Sequence, residues 1–127
     1  MLKNHTPPSI APPSSMYCHG VSTDSDTRWL HISGQLGLHP DGSIGESPEV
    51  QMEQCWRNVL AVLDDANMSK DNLVKVTTYI TSADFVPLYR EVRDRTLNGL
   101  ECASTLVVIT ALVNPNLIVE IEAVAAA

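Results

Sequence analysis

Two carboxylates, Glu120 and Glu122, stand two residues apart in the run Ile118-Val119-Glu120-Ile121-Glu122-Ala123-Val124. The alternation has the period of a strand, so both acids leave one face while Val119, Ile121 and Ala123 leave the other. Such a pair has two readings. It is a pair of solvated charges, or charges facing a subunit interface. Otherwise one carboxylate is buried at an interface, where a raised pKa would let it act as an acid or orient a water as a base.

The other chemistry-bearing side chains form no familiar constellation. His5, His19, His31 and His39 make no H-x-H, H-x-x-x-H or H-E-x-x-H set, and no cysteine pair supports them, so no metal site is expected. Cys18 precedes His19, but neighbours in a strand point to opposite faces and cannot pair as nucleophile and base. Cys55 falls in a helical apolar stripe and reads as core. G-x-S-x-G, P-loop and G-x-G-x-x-G patterns are all missing. The three cysteines, Cys18, Cys55 and Cys102, are odd in number and widely spaced, which suggests a reduced, cytoplasmic chain.

The 127 residues suit one domain. Eight Lys and Arg against 15 Asp and Glu leave a net charge of -7, which disfavours a nucleic-acid partner. The longest apolar stretch, 106–113, contains Thr110 and falls far short of the roughly 20 residues a bilayer requires, and no signal-peptide h-region is visible. Residues 1–15 hold Pro7, Pro8, Pro12 and Pro13 and read as a mobile terminus ahead of a domain at 16–127.

The elements that must position the carboxylates follow from pattern. Tyr17 to Val21 and Trp29 to Ser33 are strands expected to form a hairpin. Gly34 permits a bulge or the close approach of another group, and Asp41-Gly42 is a turn. Ser47 caps a helix with Pro48 at its first position, running to about Ala66 with Asn67 as left-handed cap. Leu73 to Ile80 is a strand. Asp84 is expected to cap a second helix, ended by Asn98-Gly99, with Arg90, Arg93 and Arg95 on its wet face. Strands over 104–110 and 117–125 complete a ββαβαββ order, a two-layer α+β domain with both helices on one face of a mixed sheet.

Ile32-Ser33-Gly34-Gln35, Val74-Lys75-Val76-Thr77, Ala103-Ser104-Thr105 and Val119-Glu120-Ile121-Glu122-Ala123-Val124-Ala125 resemble the RidA/YjgF/YER057c family, also called Rid or endoribonuclease L-PSP. The resemblance covers about residues 16–127. It implies a chorismate-mutase-like fold assembled as a homotrimeric barrel, with small-molecule clefts between subunits. Archetypal members hydrolyse enamines and imines such as 2-aminoacrylate there, without metal or organic cofactor. Carried over by motif, Tyr17 lines the cleft, the backbone of Ser33 and Gly34 lies near the ligand, and Glu120 orients water. The family's carboxylate-gripping arginine falls on Ala103 or Thr105, depending on alignment, and neither is an arginine. The chain therefore resembles a divergent subgroup, either a hydrolase of other reactive C–N compounds or a non-catalytic metabolite-binding or chaperone-like trimer. The acidic balance disfavours the ribonuclease activity of the older name.

Overall fold

The computed structural model describes residues 1–127. Ser47 starts the first helix, α1 (Pro48–Asp65), by accepting a hydrogen bond from the Val50 N–H at 3.2 Å. Pro48 sits in the first turn, where a missing N–H leaves no bond unmade. Met52, Cys55, Trp56, Val59 and Leu63 recur at helical spacing and are all buried. Asn67, with φ 56°, follows the helix in the left-handed conformation that asparagine tolerates.

The strands are β1 (Lys3–His5), β2 (Gly20–Ser22), β3 (Trp29–Leu36), β4 (Leu73–Ile80), β5 (Ala103–Val108) and β6 (Val119–Ala126), and the second helix is α2 (Val86–Leu97). Four strands make a mixed sheet in the order β3-β6-β4-β5, with β4 and β5 parallel and the other pairs antiparallel. Both helices lie on one face of it. Val76 and Ile80 of β4, and Val119, Ile121, Ala123 and Ala125 of β6, join the α1 stripe and Tyr89, Val92 and Leu97 of α2 in one core. Thr78 faces this core as well, satisfied by a 2.5 Å hydrogen bond with the Tyr89 hydroxyl. The other sheet face carries Lys75, Thr77 and Tyr79 beside Glu120 and Glu122, as the alternation requires.

Four expectations are corrected. The segment after Tyr17 does not form a hairpin with β3. The Cys18 N–H donates to the Cys102 carbonyl at 3.0 Å and Cys18 bridges Ala103, which ties the segment to the β5 edge, while β3 pairs with β6. The terminus does not hang free: Lys3–His5 pairs with β2, Asn4 Nδ2 donates to the Glu101 carbonyl, and the His19 ring bonds the Ala11 carbonyl. Asp84 caps nothing. Ser82 Oγ accepts from the Asp84 N–H to start a short 3₁₀ turn, Ala83–Phe85, that leads into α2. Arg93, expected on the wet face of α2, is buried.

Gln51 joins the first turn of α1 to the chain that feeds β6. Its Nε2 donates to the carbonyls of Gly45 and Asn116, and its Oε1 accepts from the Ile118 N–H at 2.9 Å. A Cβ at Gly37 or Gly45 would come within 3 Å of Gln51, so both positions need glycine for the backbone to reach this side chain. Gln51→Leu keeps the bulk and loses all three bonds, leaving backbone groups without partners. It should cost roughly 2–4 kcal/mol, read as a lower urea midpoint. A change within about 0.5 kcal/mol, the usual range for a surface substitution, would contradict this role.

Candidate active site

β3 and β6 lose register between Ile32 and Gln35. Ile32 pairs with Ala123 and Gln35 with Ile121, so Ser33 and Gly34 together oppose the single residue Glu122. This is a bulge, and it takes Ser33 and Gly34 out of the regular ladder pairing. The Glu120 carboxylate fills the space beside it. A Cβ placed on Gly34 would overlap Glu120 Oε1 and come within 2.8 Å of Cδ. Gly34 therefore has no side chain because the glutamate occupies that volume. The expected partners Ser33, Gly34 and Glu120 are together in one chain.

Glu120 also faces Tyr79, its register partner on β4. The Tyr79 hydroxyl reaches past it and donates to Glu122 Oε1 at 2.6 Å. The two carboxylates thus differ: Glu122 accepts from a phenol, while Glu120 has no hydrogen-bond partner within the chain. The bond to Glu122 holds the Tyr79 phenol above its ordinary pKa, with burial and the charges of Glu122 and Glu120 adding to the effect. Glu122 lies between two clefts. One, of about 540 Å³, is lined by Tyr79, Ile109, Leu112, Val113, Glu120 and Glu122. The other, of about 370 Å³, includes His31, Ser33, Lys75, Thr77 and Glu122.

Ala103 and Thr105, the two positions where the resemblance leads us to expect the family arginine, pair with Lys75 and Thr77 and share the open face. Lys75 Nζ donates to Thr105 Oγ1 at 2.6 Å, so the charge bonded to Thr105 is an ammonium without the forked geometry of a guanidinium. Tyr17 lies elsewhere. It borders a small cavity with Ser104, Arg90 and Arg93, on the helix side of the β5 edge. Glu120, on β6, stands two strand spacings, roughly 10 Å, from β5 and on the opposite face of the sheet from this cavity. One chain therefore presents the expected site as two halves.

All three thiols are free and buried. Burial pushes Cys55 up to about 12 and Cys102 up to about 11, and it also raises Cys18. None is set up as a thiolate nucleophile at neutral pH. Sequence reasoning missed Tyr79 and Lys75 as site residues, although the period-two pattern of β4 already places both on the carboxylate face.

The family model described as Endoribonuclease L-PSP matches residues 9–127. The chain belongs to the Rid family. A RutC family protein of Aquifex aeolicus is 37% identical over 75 residues, a stretch spanning 58% of this chain and 58% of that relative. Among solved structures, this Rid chain is similar to YyfB of Yersinia pestis, described as a Rid family protein of unknown function. The TM-score is 0.88 at 26% identity, covering 98% of this chain and 97% of that one. It is also similar to Escherichia coli TdcF with bound serine, with a TM-score of 0.74 at 25% identity over 94% and 91% of the two chains. These relatives agree with the chorismate-mutase-like α+β fold expected from the sequence.

Two predictions follow from the carboxylate seat. Gly34→Ala should displace the Glu120 side chain in a crystal structure. Its stability cost should stay below about 1 kcal/mol, because the obstructing atoms are the far end of a flexible side chain. An unmoved carboxylate would refute the contact. Tyr79 should ionise above the ordinary tyrosine range, and Glu122→Gln should bring its absorbance titration back down. Because the folded phenol pKa is raised, this group's stabilisation is fully present below the unfolded pKa of about 10 and is lost as pH rises through the folded value. A Tyr79 titration unmoved by Glu122→Gln would contradict the assignment.

Proposed function

We propose that this Rid protein is a cofactor-free hydrolase of enamines, imines or related reactive C–N compounds, acting in a cleft between copies of the chain. The observation that carries the reading is the Glu120 carboxylate, held against Gly34 beside the β3 bulge without a hydrogen-bond partner of its own. A water there would give a proton to Glu120 as its oxygen bonds to the imine carbon, and the C=N electrons would pass to nitrogen. Nitrogen takes that proton from Glu120 to give a carbinolamine; Glu120 then relays the hydroxyl proton to the amine, the C–N electron pair leaves with nitrogen as the C=O bond forms, and ammonia departs from a carbonyl compound. Gly34 and Ser33 offer backbone contacts, and Thr105 offers a hydroxyl to the ligand.

The separation of the Tyr17 and Glu120 halves supports a homotrimer in which one copy's β5 edge meets its neighbour's carboxylate face. A symmetric assembly would also cover the open sheet face, where Trp29 and Val107 are exposed. The serine bound to TdcF supports a small, amino-acid-sized ligand. Archetypal 2-aminoacrylate is disfavoured, because Ala103 and Thr105 cannot supply the forked contact. A charge-assisted bond of roughly 1.5–3 kcal/mol is worth more than tenfold in binding. The three free cysteines suit a reducing compartment such as the cytoplasm. The missing arginine also favours a second reading, a trimer that binds metabolites without turning them over.

Ammonia release should be measured across enzymatically generated imines with and without a carboxylate. Turnover should be found, slower on 2-aminoacrylate than on the best substrate, and Glu120→Gln should reduce it by about 10²-fold or more. Full activity in Glu120→Gln would remove the proposed water role. Binding without product across the panel would establish the second reading.

A further inference from the structure

Two of the chain's eight basic residues meet in one place. Arg90 and Arg93, one helical turn apart on α2, border a cavity of about 190 Å³ together with Ser14, Ser15, Tyr17 and Ser104. No carboxylate is among its lining residues, in a chain whose net charge is -7. The hydroxyls of the four Ser and Tyr residues have no protein partner, so each is free to donate. The volume is below the roughly 300–1,000 Å³ of sites for drug-sized ligands, which restricts an occupant to a few heavy atoms.

Arg93 gives the cavity its chemistry. Its side chain is 7% exposed. Nε donates to Asp94 Oδ1 at 2.9 Å. Nη2 lies 2.9 Å from the same oxygen but does not meet it with hydrogen-bond geometry, and is left buried without an acceptor. A buried guanidinium N–H without a partner is unusual in a folded protein. Asp94 is half-exposed, so its charge is partly screened by solvent, and it occupies only one edge of the fork. Tyr17 is held at the rim by an edge-on ring contact with His19, whose imidazole is in turn fixed to the Ala11 carbonyl.

We infer that this cavity binds a small oxyanion, a carboxylate or an inorganic phosphate, with the free edge of Arg93 as its anchor and Arg90, Tyr17 and Ser104 as supporting donors. A cation and several unpaired hydroxyls converging on one small space is a complement to an acceptor-only group. The site is separate from the position of the family arginine: Ala103 and Thr105 face the open side of the sheet, whereas Ser104 and Arg93 meet on the helix side. Tyr17 also belongs to the proposed hydrolase cleft, so the place of the anion in the assembled protein rests on that reading, while the residues that would hold the anion all lie within one chain.

The test is calorimetric titration of the full-length protein with pyruvate and, separately, with inorganic phosphate. Saturable binding of at least one is expected. The tighter of the two identifies the source of the oxyanion. Arg93→Lys keeps the charge and removes the fork, and should weaken binding roughly tenfold or more. Arg90→Ala, at an exposed position, should weaken it severalfold. Anion binding is read without turnover, so a protein that binds the anion yet hydrolyses no imine would overturn the hydrolase reading and leave this one standing. If Arg93→Lys does not fold, the Tyr17→Phe/Ser104→Ala double variant decides, with an expected severalfold loss. Binding of neither anion, or affinity indifferent to all of these α2 and β5 substitutions, would overturn the inference.

Discussion

The Glu120 carboxylate rests against the Cα of Gly34, in volume that any other residue's side chain would claim, and the geometry of the open sheet face depends on that contact. It requires a bulge in β3 to bring Gly34 opposite, and it requires β6 in the middle of the sheet to hold the glutamate in place. Both requirements are met from the helix side. Cys55 Sγ of α1 contacts the Val119 carbonyl, and Val119 and Ile121, flanking Glu120, are fully buried. The hydrophobic face of β6 fixes where its polar face can be, since a slip of one residue would exchange the two. The Gln51 bonds set the entry of the chain into β6 and so act on the same register.

Electrostatics then separate two acids that a sequence presents as equals. Tyr79 spans the step between them and donates to Glu122, leaving Glu120 as the carboxylate with free acceptor capacity. Basic charge is similarly divided. Lys75 is engaged by Thr105 on the open face, Arg95 is bound by Glu49 and Glu53 on the outer surface, and Arg93 alone is buried with an unpaired edge. An acidic chain with few cations thus concentrates two of them, Arg90 and Arg93, beside the β5 edge.

Local rules made much of this legible. Ser47-Pro48 and Asn67 marked the ends of α1 because capping and left-handed backbone are properties of a few residue types. The alternation of β6 placed Glu120 and Glu122 on one face, and Gly34 could be read as a close approach although the approaching group could not be named. The resemblance to Rid proteins directed attention to Tyr17 and Glu120, whose roles stand as proposals. The failures came where long-range pairing overrides local pattern. Tyr17 to Val21 has strand character, but nothing in its residues says that it attaches at the β5 edge and that β1 takes up Gly20–Ser22. Arg93 was read as solvated because an arginine on a charged helix usually is. Its burial depends on Tyr89, Val92 and Leu97 turning that side of α2 into the core, and on Tyr17 arriving from 76 residues earlier in the chain.

We propose that the Tyr17 half, on the helix side of the β5 edge, and the Glu120 half, on the open face beside β3, form a working site only between copies of the chain. Mixing unfolded Tyr17→Ala and Glu120→Gln chains in equal amounts and refolding them together tests it directly. If the halves come from neighbouring subunits, random assembly leaves about a quarter of the sites with both native residues, and imine hydrolysis should recover to about that fraction of wild type. Activity no greater than the average of the two parent variants would contradict the account, because sites built within single chains could never regain both residues.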